Sequence, residues 1–328
     1  MRFHPLLSLL LLCLLSTTAH ALHIDDYPAL QSLASEMADK HEFSSEQIRR
    51  TFRCVKIRPD IIEAMQRPKE LLPWYDYKNI FLTEQNAERG AQFWKKHADI
   101  LQRVHTQTGV APEIIVAILG VETQYGRHAG NYPVLDALTT LTLDYPERAD
   151  FFRRELVEFL LLAREIKVNP CQVKGSYAGA LGLPQFMPSS YRRFAVDSNG
   201  DGKRDILTSA DDTIASVAHY LRENGWEADG PIVDDVQIEG TLYFWIEKLG
   251  FRPTLPASKL ASYGIFPRRR DDLDRRAALI SFEGETGPFY RLGYNNFYVI
   301  TRYNRNKRYA LAVYELGNMI RKRIEEKS

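Results

Sequence analysis

The sequence predicts a mainly α-helical protein (α+β) with a small β-containing insertion. Three observations carry that prediction. Apolar residues recur at helical spacing from Ala87 to Val104 and again in the last twenty or so positions. The run Ile114, Ile115, Ala117, Ile118, Leu119 and Val121 is apolar on every face of a helix, as in a buried element. After about Pro231 the texture changes to short alternating or β-rich runs broken by Gly and Pro.

Residues 1–21 open with Arg2, pass through an apolar run from Leu6 to Leu15 and end in Ala19-His20-Ala21, a small-x-small cleavage pattern. That is the layout of a secretory signal peptide. Leu12 stands before Cys13 where a lipoprotein signal requires a small residue, so no lipid anchor is expected there. No later stretch is long and uncharged enough to span a bilayer. Taking 21 from 328 leaves 307 residues, room for two domains or one large domain with an insertion. The 43 basic and 42 acidic residues become 42 and 42 without Arg2, so no global field exists to attract nucleic acid. Cys54 and Cys171 remain; an oxidising compartment would let them pair, and two separate thiols stay equally open.

Ser44 and Gln47 form a capping-box pattern that opens a helix over 45–53. Pro59, Pro68 and Pro73 punctuate the stretch up to Trp74, and Thr83 then caps one long helix reaching Val104. Pro112 suits the first turn of the buried helix, which Gly126 is expected to end. Further helices are predicted from Glu147 to Lys167 and from Asp212 to Asn224, with Gly225 as the stop. Between them, residues 174–191 are rich in Gly, Ala, Ser and Pro, the texture of loops that line a site. Strands are predicted over Ala277 to Phe282 and Phe297 to Thr301, a solvated loop over Arg268 to Asp272, and a terminal helix from Tyr309 to Lys327.

Glu122 ends the apolar run, in Gly120-Val121-Glu122-Thr123-Gln124-Tyr125-Gly126. Apolar surroundings disfavour the charged form of a carboxyl, and a carboxyl that keeps its proton near neutral pH can serve as a general acid. From this pattern alone the commoner outcome is a glutamate reaching solvent or Arg127. Its neighbours reverse that reading. Gly120 to Gly126, Val134 to Leu138 with Asp144-Tyr145-Pro146, Gly175 to Gly182 running into Pro184-Gln185-Phe186-Met187-Pro188-Ser189-Ser190-Tyr191, and Asn296 to Asn304 resemble, in order and spacing, the motifs of the lytic murein transglycosylase B family.

The resemblance implies a lysozyme-like catalytic core with a helical N-terminal domain and a small β-containing insertion. The expected division is a signal peptide over 1–21 and a helical domain over 22–108 joined by a C-terminal helix, 308–328. The core then spans 109–230, completed by 289–307, with the small β-containing domain at 231–288. It also implies the reaction: cleavage of the β-1,4 bond between N-acetylmuramic acid and N-acetylglucosamine without water, closing a 1,6-anhydro ring. A retaining glycosidase needs two carboxylates about 5 Å apart, whereas here the sugar's own hydroxyl replaces the nucleophile and one glutamate suffices. Glu122 is then acid first and base second. By the same resemblance Ser176, Gln185, Tyr303, Asn304 and Tyr309 line the glycan groove, where hydroxyl, amide and aromatic groups suit a sugar. Leu181 stands where the family often has Met and Pro184 where some relatives have Gly, which puts substrate preference in question more than activity.

Asp197-Ser198-Asn199-Gly200-Asp201-Gly202-Lys203-Arg204-Asp205 sets oxygen ligands at alternate positions with Gly at the sixth, as in an EF-hand loop. Thr208 replaces the usual final Glu; the family's longer loop implies Asp211 in its place. A structural Ca²⁺ on Asp197, Asn199, Asp201, the Lys203 carbonyl and Asp211 is therefore expected, against the alternative of Asx turns without metal. No His or Cys cluster suggests a catalytic metal or cofactor. The expected partner is the peptidoglycan glycan strand, with cell-wall machinery proteins as further candidates, and the expected location is the periplasm. Competing readings are a hydrolytic muramidase using Asp136 or Asp144 as second carboxylate, a non-catalytic glycan-binding protein, and a calcium-responsive interaction module.

Overall fold

The computed structural model describes residues 22–67, 71–269 and 273–326; the expected signal peptide, Pro68 and residues 270–272 lie outside them. The chain forms two compact units, divided after Lys56. In the first, α1 (Pro28–His41) buries Leu30, Leu33, Ala34 and Met37, one stripe at helical spacing. Helix α2 (Ser45–Phe52) starts in a complete capping box: the Gln47 N–H donates to Ser44 Oγ at 3.1 Å and the Ser44 N–H to Gln47 Oε1 at 2.7 Å. Cys54, in the turn after it, is disulfide-bonded.

The second unit opens with α3 (Pro59–Met65) and α4 (Trp74–Phe81). The single helix expected from Thr83 to Val104 is two, α5 (Glu84–Lys96) and α6 (Ala98–Thr108), broken at His97 where ψ turns to 28°. The apolar spacing continues across the break, which is why the sequence pattern hides it. Helix α7 (Pro112–Thr123) is buried at every position from Glu113 to Val121 and packs on α5, α6, α11 (Ala210–Glu223) and α15 (Lys307–Glu325). Burying each Leu, Ile or Val there is worth about 1.5–3 kcal/mol, so α7 is the spine of this unit.

Helix α8 (Val134–Asp144) was not among the expected elements; it packs on α3 and on α9 (Ala149–Glu165), which in turn contacts α10 (Pro188–Phe194). The helix predicted from Glu147 thus begins later, after a 3₁₀ turn at Pro146–Arg148. Cys171, in the turn that follows α9, is disulfide-bonded. Strands β1 (Tyr132–Pro133) and β2 (Lys174–Gly175) form a short antiparallel pair.

Residues 233–293 hold β3 (Val233–Ile238), α12 (Tyr243–Glu247), β4 (Leu255–Pro256), α13 (Ala257–Leu260), β5 (Ile265–Pro267), β6 (Arg276–Gly284) and β7 (Gly287–Gly293). The sheet is antiparallel in the order β4-β6-β7-β3-β5, with a small core of Ile246, Leu260, Ile265, Leu279, Leu292 and Tyr294. The strand predicted over Phe297 to Thr301 is instead a helix, α14 (Asn295–Tyr303). Phe297, Val299 and Ile300 are buried in the helical core, and that packing overrides the strand propensity of Val and Ile.

Candidate active site

The last turn of α7 places Glu122. Helical geometry stops at Thr123, not at Gly126, because Gln124 and Tyr125 both adopt left-handed backbone, φ 48° and 61°. A non-glycine residue in that region is strained, and two in succession need outside support. Tyr125 supplies it. Its hydroxyl donates to the Asn86 carbonyl at 3.1 Å, its ring stacks on Phe93, and burial pushes its phenol well above the usual range. The slot that admits this ring exists because α5 and α7 carry Gly90 and Gly120: a Cβ on either would stand 2.5 Å from the Tyr125 hydroxyl oxygen.

The half-buried Glu122 side chain receives a hydrogen bond from α15, where the buried Tyr309 hydroxyl donates to Glu122 Oε1 at 2.7 Å. Tyr303, the final residue of α14, lies parallel to Tyr309 with ring centroids 6.3 Å apart and donates its hydroxyl to the Pro184 carbonyl at 2.6 Å. Burial first, and then the negative charge of Glu122, hold both phenols well above their ordinary pKa, so each stays a neutral donor. The tyrosine proton ties Oε1 of the carboxyl to α15. Oε1 can accept whether or not Oε2 carries a proton, so this bond serves both states of the carboxyl.

The Gly-rich segment forms a loop stitched to this centre at several points. Thr123 Oγ1 donates to the Leu183 carbonyl at 3.0 Å, and Leu181 and Phe186 exchange backbone hydrogen bonds of 2.8 and 3.1 Å. Gly182 has φ 69° and comes so near the chain at Ile206 that a Cβ would lie 2.3 Å from its carbonyl oxygen. Gln185, itself left-handed at φ 51°, spends its Nε2 protons on the carbonyls of Ala129, 3.1 Å, and Gly182, 2.8 Å. Only its Oε1 remains for a ligand. The Ser176 Oγ accepts the Ala180 N–H at 3.0 Å and keeps its own proton to donate. Asn304 follows Tyr303 as the α14 C-cap in extended backbone.

Thr123, Tyr125 and Phe186 stood inside the quoted motifs with no role assigned, and Tyr220 was missed altogether as part of this assembly. Tyr220 packs edge-on to Tyr303 at 4.9 Å and donates to the Arg302 carbonyl at 2.5 Å, while Phe186 lies 5.7 Å from the Tyr303 ring. Tyr220 carried no local signal; Tyr125 did, in the glycine that follows it. Asp136 is buried on α8, where its charge acts on Arg58.

The acidic loop is wound by its own side chains. Asp197 accepts the N–H groups of Gly200 at 2.7 Å and Gly202 at 2.8 Å, Asn199 that of Asp201 at 3.0 Å, and Asp201 that of Lys203 at 2.8 Å. The fully buried Asp212 ties both ends of the loop, accepting from Ser198 at 2.8 Å and Asp205 at 2.9 Å. Asp211 faces Arg103, 3.9 Å away. The donors are all oxygen, the chemistry a hard cation takes, and each carboxylate keeps lone pairs beyond those spent on N–H groups. No three acidic, His or Cys side chains among the described residues converge as a metal cage, so any ion would draw on Asn199 and backbone carbonyls as well.

Comparison with known proteins identifies the family. The model of the "Transglycosylase SLT domain" family matches residues 25–318. The membrane-bound lytic murein transglycosylase B of Escherichia coli K12 is 37% identical over 303 residues, 89% of this chain and 82% of its own. Among solved structures, the soluble lytic transglycosylase SltB1 of Pseudomonas aeruginosa is similar at 45% identity and TM-score 0.83, covering 89% of this chain and 98% of that one. The Escherichia coli lytic transglycosylase Slt35, solved in complex with calcium, is similar at 35% identity and TM-score 0.84, covering 94% and 98%. With the family model matching nearly the whole described chain and the Escherichia coli relative 37% identical over 89% of it, this protein is a member of the SLT-domain transglycosylase family.

Proposed function

We propose that this protein is a peptidoglycan lytic transglycosylase that cleaves the β-1,4 bond between N-acetylmuramic acid and N-acetylglucosamine and leaves 1,6-anhydro ends. The observation that carries the reading is the 2.7 Å bond from Tyr309 to Glu122 on a family scaffold. The Glu122 carboxyl gives its proton to the leaving glycosidic oxygen as the bond to the anomeric carbon breaks. The resulting carboxylate then takes the proton of the muramic acid C6 hydroxyl as that oxygen bonds the anomeric carbon. Each turnover returns Glu122 to its starting form, so no second carboxylate is required. Ser176, Gln185, Tyr303 and Asn304 are assigned to holding the glycan, Ser176 as donor and Gln185 through its remaining oxygen. The groove is assigned to residues 109–230 and 289–307, with export to the periplasm by residues 1–21.

The same reading assigns a structural Ca²⁺ to Asp197, Asn199, Asp201, the Lys203 carbonyl and Asp211. When bound, the ion supplies cross-linking of the loop and no step of the reaction. The all-oxygen donor set and the calcium complex of Slt35 support it. The deciding experiment digests purified sacculi and analyses products by mass: anhydro-muropeptides from wild type and none from Glu122→Gln are expected. Reducing ends formed by water would instead establish a muramidase, and equal release by the variant would leave a glycan-binding protein.

A further inference from the structure

Eight large apolar side chains are exposed among the described residues, and four of them fall within positions 242–249: Leu242 at 53%, Phe244 at 49%, Trp245 at 66% and Leu249 at 52%. Scattered exposed apolar residues need no explanation, whereas a contiguous cluster does. The segment is held rather than loose. Ile246 is 4% exposed in the core of the small sheet, the Tyr243 ring packs edge-on to Tyr290 at 5.1 Å, and Phe244 stacks on Tyr243 at 4.3 Å. With α12 anchored by Tyr243 and Ile246, the side chains between and beside them are fixed outward.

The charge along this stretch of sequence is uneven. Residues 241–276 contain eight Lys or Arg and four Asp or Glu, a net +4, whereas the whole chain is +1, so the remainder is −3. Lys248 lies 5.2 Å from the Trp245 ring, and the exposed Arg252 follows three residues after Leu249. Arg268 and Arg275 are spent on Asp235 and Glu227; Lys248 and Lys259 make no ion pair among the described residues.

We propose that the outward surface of α12 and its flanks, Leu242, Phe244, Trp245, Lys248 and Leu249, is a membrane-contact face that seats in the headgroup region of an anionic phospholipid bilayer. Tryptophan, phenylalanine and leucine beside lysine are the side chains that partition to that region, the rings and aliphatic groups entering the acyl boundary while the ammonium stays with phosphate. Two of the four outward apolar groups are leucines, which offer no ring face to a sugar, while Phe244 stacks on Tyr243 and Trp245 lies against the Lys248 ammonium. The surface is independent of the catalytic reading.

The test is sedimentation of the processed chain, residues 22–328, with vesicles of mixed phosphatidylglycerol and phosphatidylethanolamine, and with vesicles of phosphatidylcholine. Binding to the anionic vesicles with a blue shift of tryptophan emission is expected, weakened about tenfold by Leu242→Ser/Trp245→Ser/Leu249→Ser and again by Lys248→Glu. These positions are exposed, so circular dichroism and glycan cleavage should match wild type. Absence of vesicle binding, or binding that the triple variant retains, overturns the proposal. So does a triple variant that loses only sacculus binding, which assigns the surface to glycan, or only self-association, which assigns it to a second copy of the chain.

Discussion

Replacing Tyr309 by phenylalanine removes one oxygen and tests the centre at its closest contact. The ring is buried and parallel to Tyr303, so phenylalanine keeps the packing and deletes only the 2.7 Å bond to Glu122 Oε1. A hydrogen bond to a charged group is worth about 1.5–3 kcal/mol, which corresponds to a loss of about 10- to 150-fold in rate if the bond supports the carboxylate formed in the first step. Stability should move far less, because Glu122 is half-buried and water can replace the lost donor. The assay is the initial rate of anhydro-muropeptide release from sacculi under saturating substrate, with urea unfolding of the same preparation. A rate within about twofold of wild type, in a protein of unchanged stability, would refute the reasoning, since a bond of this length to the reacting carboxyl could not then matter to the charge it carries.

Three further outcomes follow from other parts of the structure. Gly120→Ala puts a Cβ 2.5 Å from the Tyr125 hydroxyl, so it should cost about 1–3 kcal/mol in urea unfolding and slow cleavage by disturbing the turn beside Glu122; an unchanged midpoint would show that the slot has slack. Burial above all pushes the Glu315 carboxyl above its ordinary value, with Asp235 adding to the rise and Arg291 opposing it. The folded state therefore binds that proton more tightly than the unfolded chain, and the associated stability, full at low pH, is lost as pH rises through the folded pKa. Glu315→Gln should accordingly raise the melting temperature at pH 7 and change it little at pH 4, and the reverse ordering would contradict the sign. Calcium at a hundred times its dissociation constant should stabilise by about 2.7 kcal/mol, an effect that Asp197→Asn should remove; a melting temperature indifferent to chelator would count against the assigned ion.

Glu122 and its helix were legible because their signal is local: nine buried positions in a row and a carboxyl at the end. The motif order placed Tyr303 and Tyr309 by resemblance, but no spacing rule could state that Tyr309 donates to Glu122 across 187 residues. Tyr220 was invisible for the same reason, since its contact with Tyr303 is a product of two helices meeting. The misread segment at 297–301 shows the opposite limit. Phe297, Val299 and Ile300 satisfy a strand by residue type and a helix by the core they face, and only the packing partners decide. At His97 the apolar rhythm runs straight through a break, because both helices bury the same face into one core.

The hydrogen bond that supports Glu122 comes from α15, the most C-terminal helix among the described residues. During translation the glutamate exists long before the tyrosine that completes it, and a nascent or truncated chain ending before residue 307 has a glutamate but no finished centre.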